Sequence, residues 1–268
     1  MRETLRLGGG AGFAGDRLDA PIDLAEHGEL DYLVLECLAE RTIALAQLRR
    51  RRDPAAGYDA RLAERIESLL PIIARRRVRL LGNFGAANPL AAADAILAVA
   101  KRLALPVKVA AVTGDDVLDM LDLDAPTMEA GVPLSRYSPI VSANAYLGAE
   151  AMLPAIASGA DIVVTGRVAD PSLFVAPLMH EYGWAANDFD RLARGTAVGH
   201  LLECLAERTI ALAQLRRRRD PAAGYDARLA ERIESLLPIL ARRRVRLLGN
   251  FGAANPLAAA DAILAVAK

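Results

Sequence analysis

Five short runs of aliphatic and β-branched residues punctuate the chain: "TLRLGGG" from Thr4, "LDYLVLE" from Leu30, "RVRLLGN" from Arg77, "VKVAAVTGDD" from Val107 and "DIVVTGR" from Asp161. Each closes on glycine or a polar residue, and most lead into apolar positions at helical spacing. Strands alternating with helices in this way predict parallel βα units. The fold class is therefore α/β, a mostly parallel sheet built from βα units, doubly wound or barrel-like. Two helices fall between the second and third runs. The first begins near Glu36 and ends in the arginine run 49–52, after which "DPAAGYD" turns the chain. The second takes Asp59 as N-cap and carries Leu62, Ile66, Leu69, Leu70 and Ile73 on one stripe. Pro71 lacks an N–H and should kink or shorten it. Asn88 and Pro89 make a cap and first turn for a helix reaching about Leu103. Leu123 to Ser142, with three prolines and little periodicity, reads as a loop. Helices from Ala145 to Ser158 and after Asp170-Pro171 complete the pattern.

The pattern is partly stated twice. Leu35–Lys101 recurs as Leu202–Lys268, and the two 67-residue copies differ only at Ile73 against Leu240. Architectural repeats have periods of roughly 20–50 residues and drift wherever packing does not hold them. This unit is longer and has hardly drifted, so it reads as a duplication and not as a solenoid. Residues 1–201 are then an α/β core and 202–268 a near-identical second copy of 35–101. Glu203 has the same residues after it as Glu36 and different ones before it, so it is not given Glu36's role.

Composition narrows the partners. Basic and acidic residues balance at 33 each, which gives no general attraction to nucleic acid or anionic lipid. The arginine runs read as solvated helix ends that complement the helix dipole. The two cysteines, Cys37 and Cys204, are one position in two copies, and no disulfide framework or zinc spacing exists. No apolar segment resembles a secretory signal, and no run reaches the ~18 apolar residues of a membrane span. A cytoplasmic protein acting on a small molecule, with no nucleic acid or membrane partner, is expected.

Ligands of α/β proteins bind at the carboxyl ends of the parallel strands, and here those ends are polar. Gly10, Gly12 and Gly15 form G-x-G-x-x-G after the first run, and Glu36 follows Gly15 by 21 positions. That is the pattern of a pyrophosphate cradle with a ribose-binding acid, the basis of an NAD(P) reading. Asp16-Arg17 opens the next helix, and an aspartate there would repel phosphate. Asn83 and Asn88 lie in "GNFGAANP", a strand-to-helix loop with N–H groups suited to an anion. Asp115 and Asp116 in "TGDD" suit a general base or a metal ligand, or cap the next helix. Arg167 in "TGRVADPS" suits a carboxylate clamp or a pair with Asp170. His27 and His180 read as structural; His200, after Gly199, is the histidine best suited to acid/base work.

Taken together, "LGGGAGFAGDR", "LAERT", "DPAAGYD", "NFGAANP", "GDD", "ANAYLGAE", "GADIVVTGRVADPSL" and "GHLLEC" resemble, in order and approximate spacing, the acyclic terpene utilisation AtuA-like family of bacteria. Gly10, Gly12, Gly15, Asp16, Arg17, Glu36, Arg41, Asn83, Asn88, Asp115, Asp116, Asn144, Arg167, Asp170 and His200 match its motif positions. The resemblance implies catabolism of acyclic terpenes or related branched acids, handled as carboxylates or coenzyme A thioesters. The glycine loop, Arg17, Glu36, Asn83, Asn88, Arg167 and Asp170 would hold substrate, and Asp115, Asp116 or His200 would move protons. Family members continue past "GHLLEC" into a further portion that the second copy replaces here, so a truncated and inactive chain is one reading. An NAD(P)-dependent oxidoreductase and a non-enzymatic interaction subunit are the others. The duplicated strand and helices have no assigned partner, which predicts self-association, by domain swapping through 202–268.

Overall fold

The computed structural model describes residues 4–207, with backbone alone for 204–207. The remainder of the second copy, and with it the expectation of domain swapping, lies outside the described residues. All five runs are strands: β1 (Leu7–Ala11), β2 (Tyr32–Leu35), β3 (Arg79–Gly82), β4 (Val109–Val112) and β5 (Ile162–Thr165). They pair in parallel in the order β1-β2-β3-β5-β4. β1 and β4 are the edges among the described residues, so the sheet is open and doubly wound.

Alternating side chains feed two layers. Leu33, Leu35, Leu80, Ile162 and Val164 pack against α1 (Asp19–His27), α3 (Leu62–Arg76) and α4 (Pro89–Arg102). Tyr32, Val34, Leu81 and Val163 pack against α5 (Leu153–Ala157), α6 (Ser172–Tyr182) and α7 (Phe189–Glu207). The chain steps from β1 to β3, passes to β4 and doubles back to β5. Right-handed crossovers put the helices of the forward steps on one face and those of the return on the other. β3 and β5 are neighbours whose following helices leave to opposite faces. That is a topological switch point, where a crevice opens at the carboxyl ends.

One helix belongs to neither layer. α2 (Glu40–Arg52) lies across the carboxyl-end loops, with Ile43 and Ala46 buried against Leu38, Ala86 and Ala87. Gln47 donates to Asp116 at 2.8 Å, Arg50 to the Ala87 carbonyl at 2.8 Å, and Arg51 to the Ile140 carbonyl at 3.0 Å. Arg49 likewise donates to the Tyr58 carbonyl at 3.0 Å, so the arginine run closes a helix end and three of its members also anchor loops.

Several local expectations are corrected. α2 opens at Glu40 because Glu36 and Cys37 still bond sideways, to the Ala11 carbonyl at 3.0 Å and the Asn83 side chain at 2.6 Å. Asp59 caps the turn before α3 by accepting the Arg61 N–H at 2.9 Å. Pro71 does not shorten α3, since it sits on the exposed side where water can serve the carbonyl it leaves unpaired. The helix read over 145–158 is a 3-10 turn, Ala149–Met152, followed by the short α5, bounded by Gly148 and carrying Pro154 in its first turn. α7 runs through the 201/202 boundary. Leu202 is buried, and a Cβ on Gly9 would stand 3.0 Å from the Leu202 carbonyl oxygen. The first residues of the second copy are thus part of the core.

Candidate functional site

The carboxyl ends of β2, β3, β4 and β5 meet in one hydrogen-bonded cluster. Asn83, just past β3 and fully buried, accepts the Cys37 N–H on Oδ1 at 2.6 Å and donates Nδ2 to Glu36 Oε1 at 2.6 Å. The Leu38 N–H also reaches Glu36 Oε1, at 2.9 Å. Burial raises the Glu36 carboxyl to about 8, against the lowering effect of these donors and of Arg167.

Arg167 follows β5 and is buried. Its Nη1 donates to the Leu38 carbonyl at 2.6 Å, Nε and Nη2 to the Val168 carbonyl at 3.2 and 3.1 Å, and Nη2 also to Asp170. Glu36 Oε1 lies 3.7 Å from Nη2, and the guanidinium stands 4.6 Å from the centre of the Tyr146 ring, whose hydroxyl donates to Glu40. Most Arg167 donors are thus engaged within the chain. Burial raises the Asp170 carboxyl while Arg167 opposes it.

Asp115 is a strut. It accepts the Arg167 N–H at 2.7 Å and the Asn144 side chain at 2.9 Å, and burial raises its carboxyl. Gly166 makes room for it, since a Cβ there would stand 2.4 Å from the carboxylate. Asp116 points away, to Gln47 and Arg50 of α2. Asn88 caps α4 and holds the Pro54 and Ala56 carbonyls at 2.9 and 2.8 Å. These residues shape the site without lining its pocket.

The glycine loop is spoken for. Asp16 Oδ2 accepts the Gly12 N–H at 2.9 Å and the Phe13 N–H at 3.1 Å, where a phosphate oxygen would sit in a dinucleotide fold. A Cβ on Gly10 would stand 2.8 Å from Leu35 and Pro21 side chains, and one on Gly15 2.5 Å from the Phe13 ring, so both glycines serve packing. Arg17 pairs with Asp19, and Arg41 is exposed.

A pocket of about 190 Å³ opens among Gly12, Glu36, Leu38, Arg167, Asp170 and Glu203. It brings together four regions: the glycine loop, the β2–α2 turn, the start of the β5–α6 segment and α7. Gly199 lets α7 lie close, for a Cβ there would stand 3.0 Å from the Pro171 carbonyl oxygen. His200, one turn before Glu203, has a mostly exposed side chain whose Nδ1 is 3.6 Å from Glu203 Oε2. Glu203, which sequence reasoning left out, is buried in the wall beside Glu36. The "GHLLEC" block was its one available signal. Gln47 and Tyr146 were missed because neither lies in a polar strand-end motif. No cluster of His, Cys, Asp or Glu suited to a metal occurs among the described residues.

Fold and pocket define the class: a doubly wound α/β protein with a carboxylate-rich site at the switch point of its sheet. No match is found among curated proteins or solved structures. The family model described as "Acyclic terpene utilisation family protein AtuA" matches residues 5–205 and, a second time, residues 202–268. The chain belongs to the acyclic terpene utilisation AtuA family. No helix among the described residues is long and apolar enough to cross a membrane.

Proposed function

We propose that this chain acts on a branched carboxylate or coenzyme A thioester in acyclic terpene utilisation, and that Glu36 transfers a proton at the substrate. The observation that carries this reading is the switch-point pocket, in which buried Glu36 and Glu203 and the partly exposed Asp170 share a small space with one guanidinium. Crowded acids in low dielectric hold their protons more tightly. With its carboxyl at about 8, Glu36 is mainly protonated at neutral pH and close enough to that pH to serve as acid or base. Asn83 and the Leu38 N–H fix Oε1 and so orient the group. Arg167 positions Leu38 and Asp170, and Asp115 holds Arg167 through its backbone. His200, at the rim next to Glu203, is the second proton carrier.

NAD(P)-dependent chemistry is the weaker reading, since Asp16 occupies the N–H groups a pyrophosphate needs. The direct test is deuterium exchange: the chain is incubated in D₂O with a branched acyl thioester, and label at the carbon next to the carbonyl is measured by mass spectrometry. Exchange should occur, rise as pH approaches about 8, and fall by about a hundredfold or more in Glu36→Gln. Exchange unaffected by Glu36→Gln overturns the proposal.

A further inference from the structure

A second, larger cavity of about 530 Å³ lies on the other side of the same loops, within the roughly 300–1,000 Å³ range of small-molecule sites. Its lining includes Leu38, Leu45, Leu48 and Phe84, and at its edges stand Arg49, Arg52 and Arg61. Cys37 and Leu38 line both this cleft and the polar pocket, and the glycine loop also contributes to both, Gly12 and Phe13 to one, Ala14 and Gly15 to the other. The two cavities thus share a wall.

The cleft exists because α2 has two faces. Ile43 and Ala46 bury one of them, while Thr42, Leu45, Leu48, Arg49 and Arg52 recur at spacings of three and four and line the cleft with the other. Leu45 and Leu48 remain 49% and 40% exposed. Two such leucines next to an arginine cluster suit a ligand with an apolar body and an anionic end; Asp59, the one carboxylate among the described lining residues, is paired with buried Arg65, and Arg61 also pairs through Nε with Glu64 at 3.0 Å. Arg49 and Arg61 also hold the Tyr58 and Asp16 carbonyls, at 3.0 and 2.8 Å, which fixes their stems beside the opening.

We propose that this cleft binds a branched aliphatic acid or thioester at a site separate from the Glu36 pocket, its chain on Leu45 and Leu48 and its anionic group on Arg49, Arg52 and Arg61. The inference rests on the function proposed above in naming a branched, anionic substrate, but it stands on different residues. Carboxylate and coenzyme A phosphate share the anionic chemistry that such a rim recognises.

Binding to the full chain is measured by titration calorimetry with three probes: a ten-carbon acid bearing two methyl branches, the matching uncharged alcohol, and coenzyme A alone. The acid should bind saturably. Leu45→Gln combined with Leu48→Gln should weaken acid and alcohol alike by about tenfold or more, and Arg52→Glu should weaken the acid alone. Both leucines are exposed, so these variants should retain the fold, which circular dichroism checks. Competition between coenzyme A and the acid assigns the arginines to phosphate; acid binding indifferent to coenzyme A assigns them to carboxylate, and either supports the cleft. Unchanged acid affinity in the double leucine variant overturns it, as does binding lost in Glu36→Gln and kept in the leucine variant. Acid binding without deuterium exchange in the unaltered chain sinks the proton-transfer reading and leaves the cleft standing.

Discussion

Asn83 Nδ2 donates to Glu36 Oε1 at 2.6 Å while Asn83 Oδ1 takes the Cys37 N–H at the same distance. One side chain thus satisfies a buried backbone donor and orients a buried acid. Asn83→Leu removes both bonds and leaves the Cys37 N–H without its partner. The loss should be about 1–3 kcal/mol, read as a shift in the urea midpoint, with the Glu36 carboxyl moving further up.

Glu36 makes stability depend on pH. Its folded value of about 8 stands above its ordinary 4.5, so the folded chain holds a proton that the unfolded chain releases. The contribution is intact below about 4.5 and is lost as pH rises through about 8. Each tenfold change in proton affinity is worth about 1.4 kcal/mol, so the loss is on the order of a few kcal/mol. Melting temperature against pH should fall less steeply across this window in Glu36→Gln, which keeps an acceptor for Asn83. Asp115 and Asp170, also raised by burial, leave a residual slope at lower pH.

Gly166→Ala places a methyl group within the Asp115 carboxylate's contact distance, at 2.4 Å. Overpacking of this kind costs about 1–3 kcal/mol, and here it also pushes on the acceptor of the Arg167 N–H. Chemical denaturation should show the loss, together with weakened exchange activity.

Titration with NADH to millimolar concentration should give no saturable fluorescence change. Asp16→Ala frees the Gly12 and Phe13 N–H groups and is the variant in which weak phosphate binding should first be seen. Saturable binding by the unaltered chain would show that Asp16 yields its place.

Self-association through the second copy is proposed with a revised boundary. Leu202 and Glu203 are buried in the described core, so deletion from Leu202 would remove part of α7 and of its packing. A chain ending at Glu207 should be a monomer by light scattering where the full chain associates; a monomer in both cases rejects the proposal.

The sheet was legible because parallel strands buried on both faces read as continuous aliphatic runs, and "IVVT" or "YLVL" admit few alternatives. Strand-end polarity likewise gave Glu36, Asn83, Asp115 and Arg167 a common neighbourhood. What it could not give was direction. Whether Arg167 faces a ligand or its own Asp170, and whether Gly12 N–H meets a phosphate or Asp16, depends on side-chain orientations that no spacing encodes. α2 was read as a helix, but its second face and its position across the strand ends come from loop contacts made far along the chain.

The segment Leu35-Glu36-Cys37-Leu38-Ala39-Glu40 ends a strand, crosses a loop and opens a helix, whereas the same six residues from Leu202 to Glu207 form continuous helix in α7. Local preference therefore does not decide its shape; the preceding chain does, by delivering it from a buried strand or from an established helix. A sequence so ambivalent is a tolerant place for two genetic segments to be joined, because either upstream context imposes its own geometry through the seam. Both contexts also bring the glutamate to the same pocket wall. The same position in the two copies thus supplies two acids to one site.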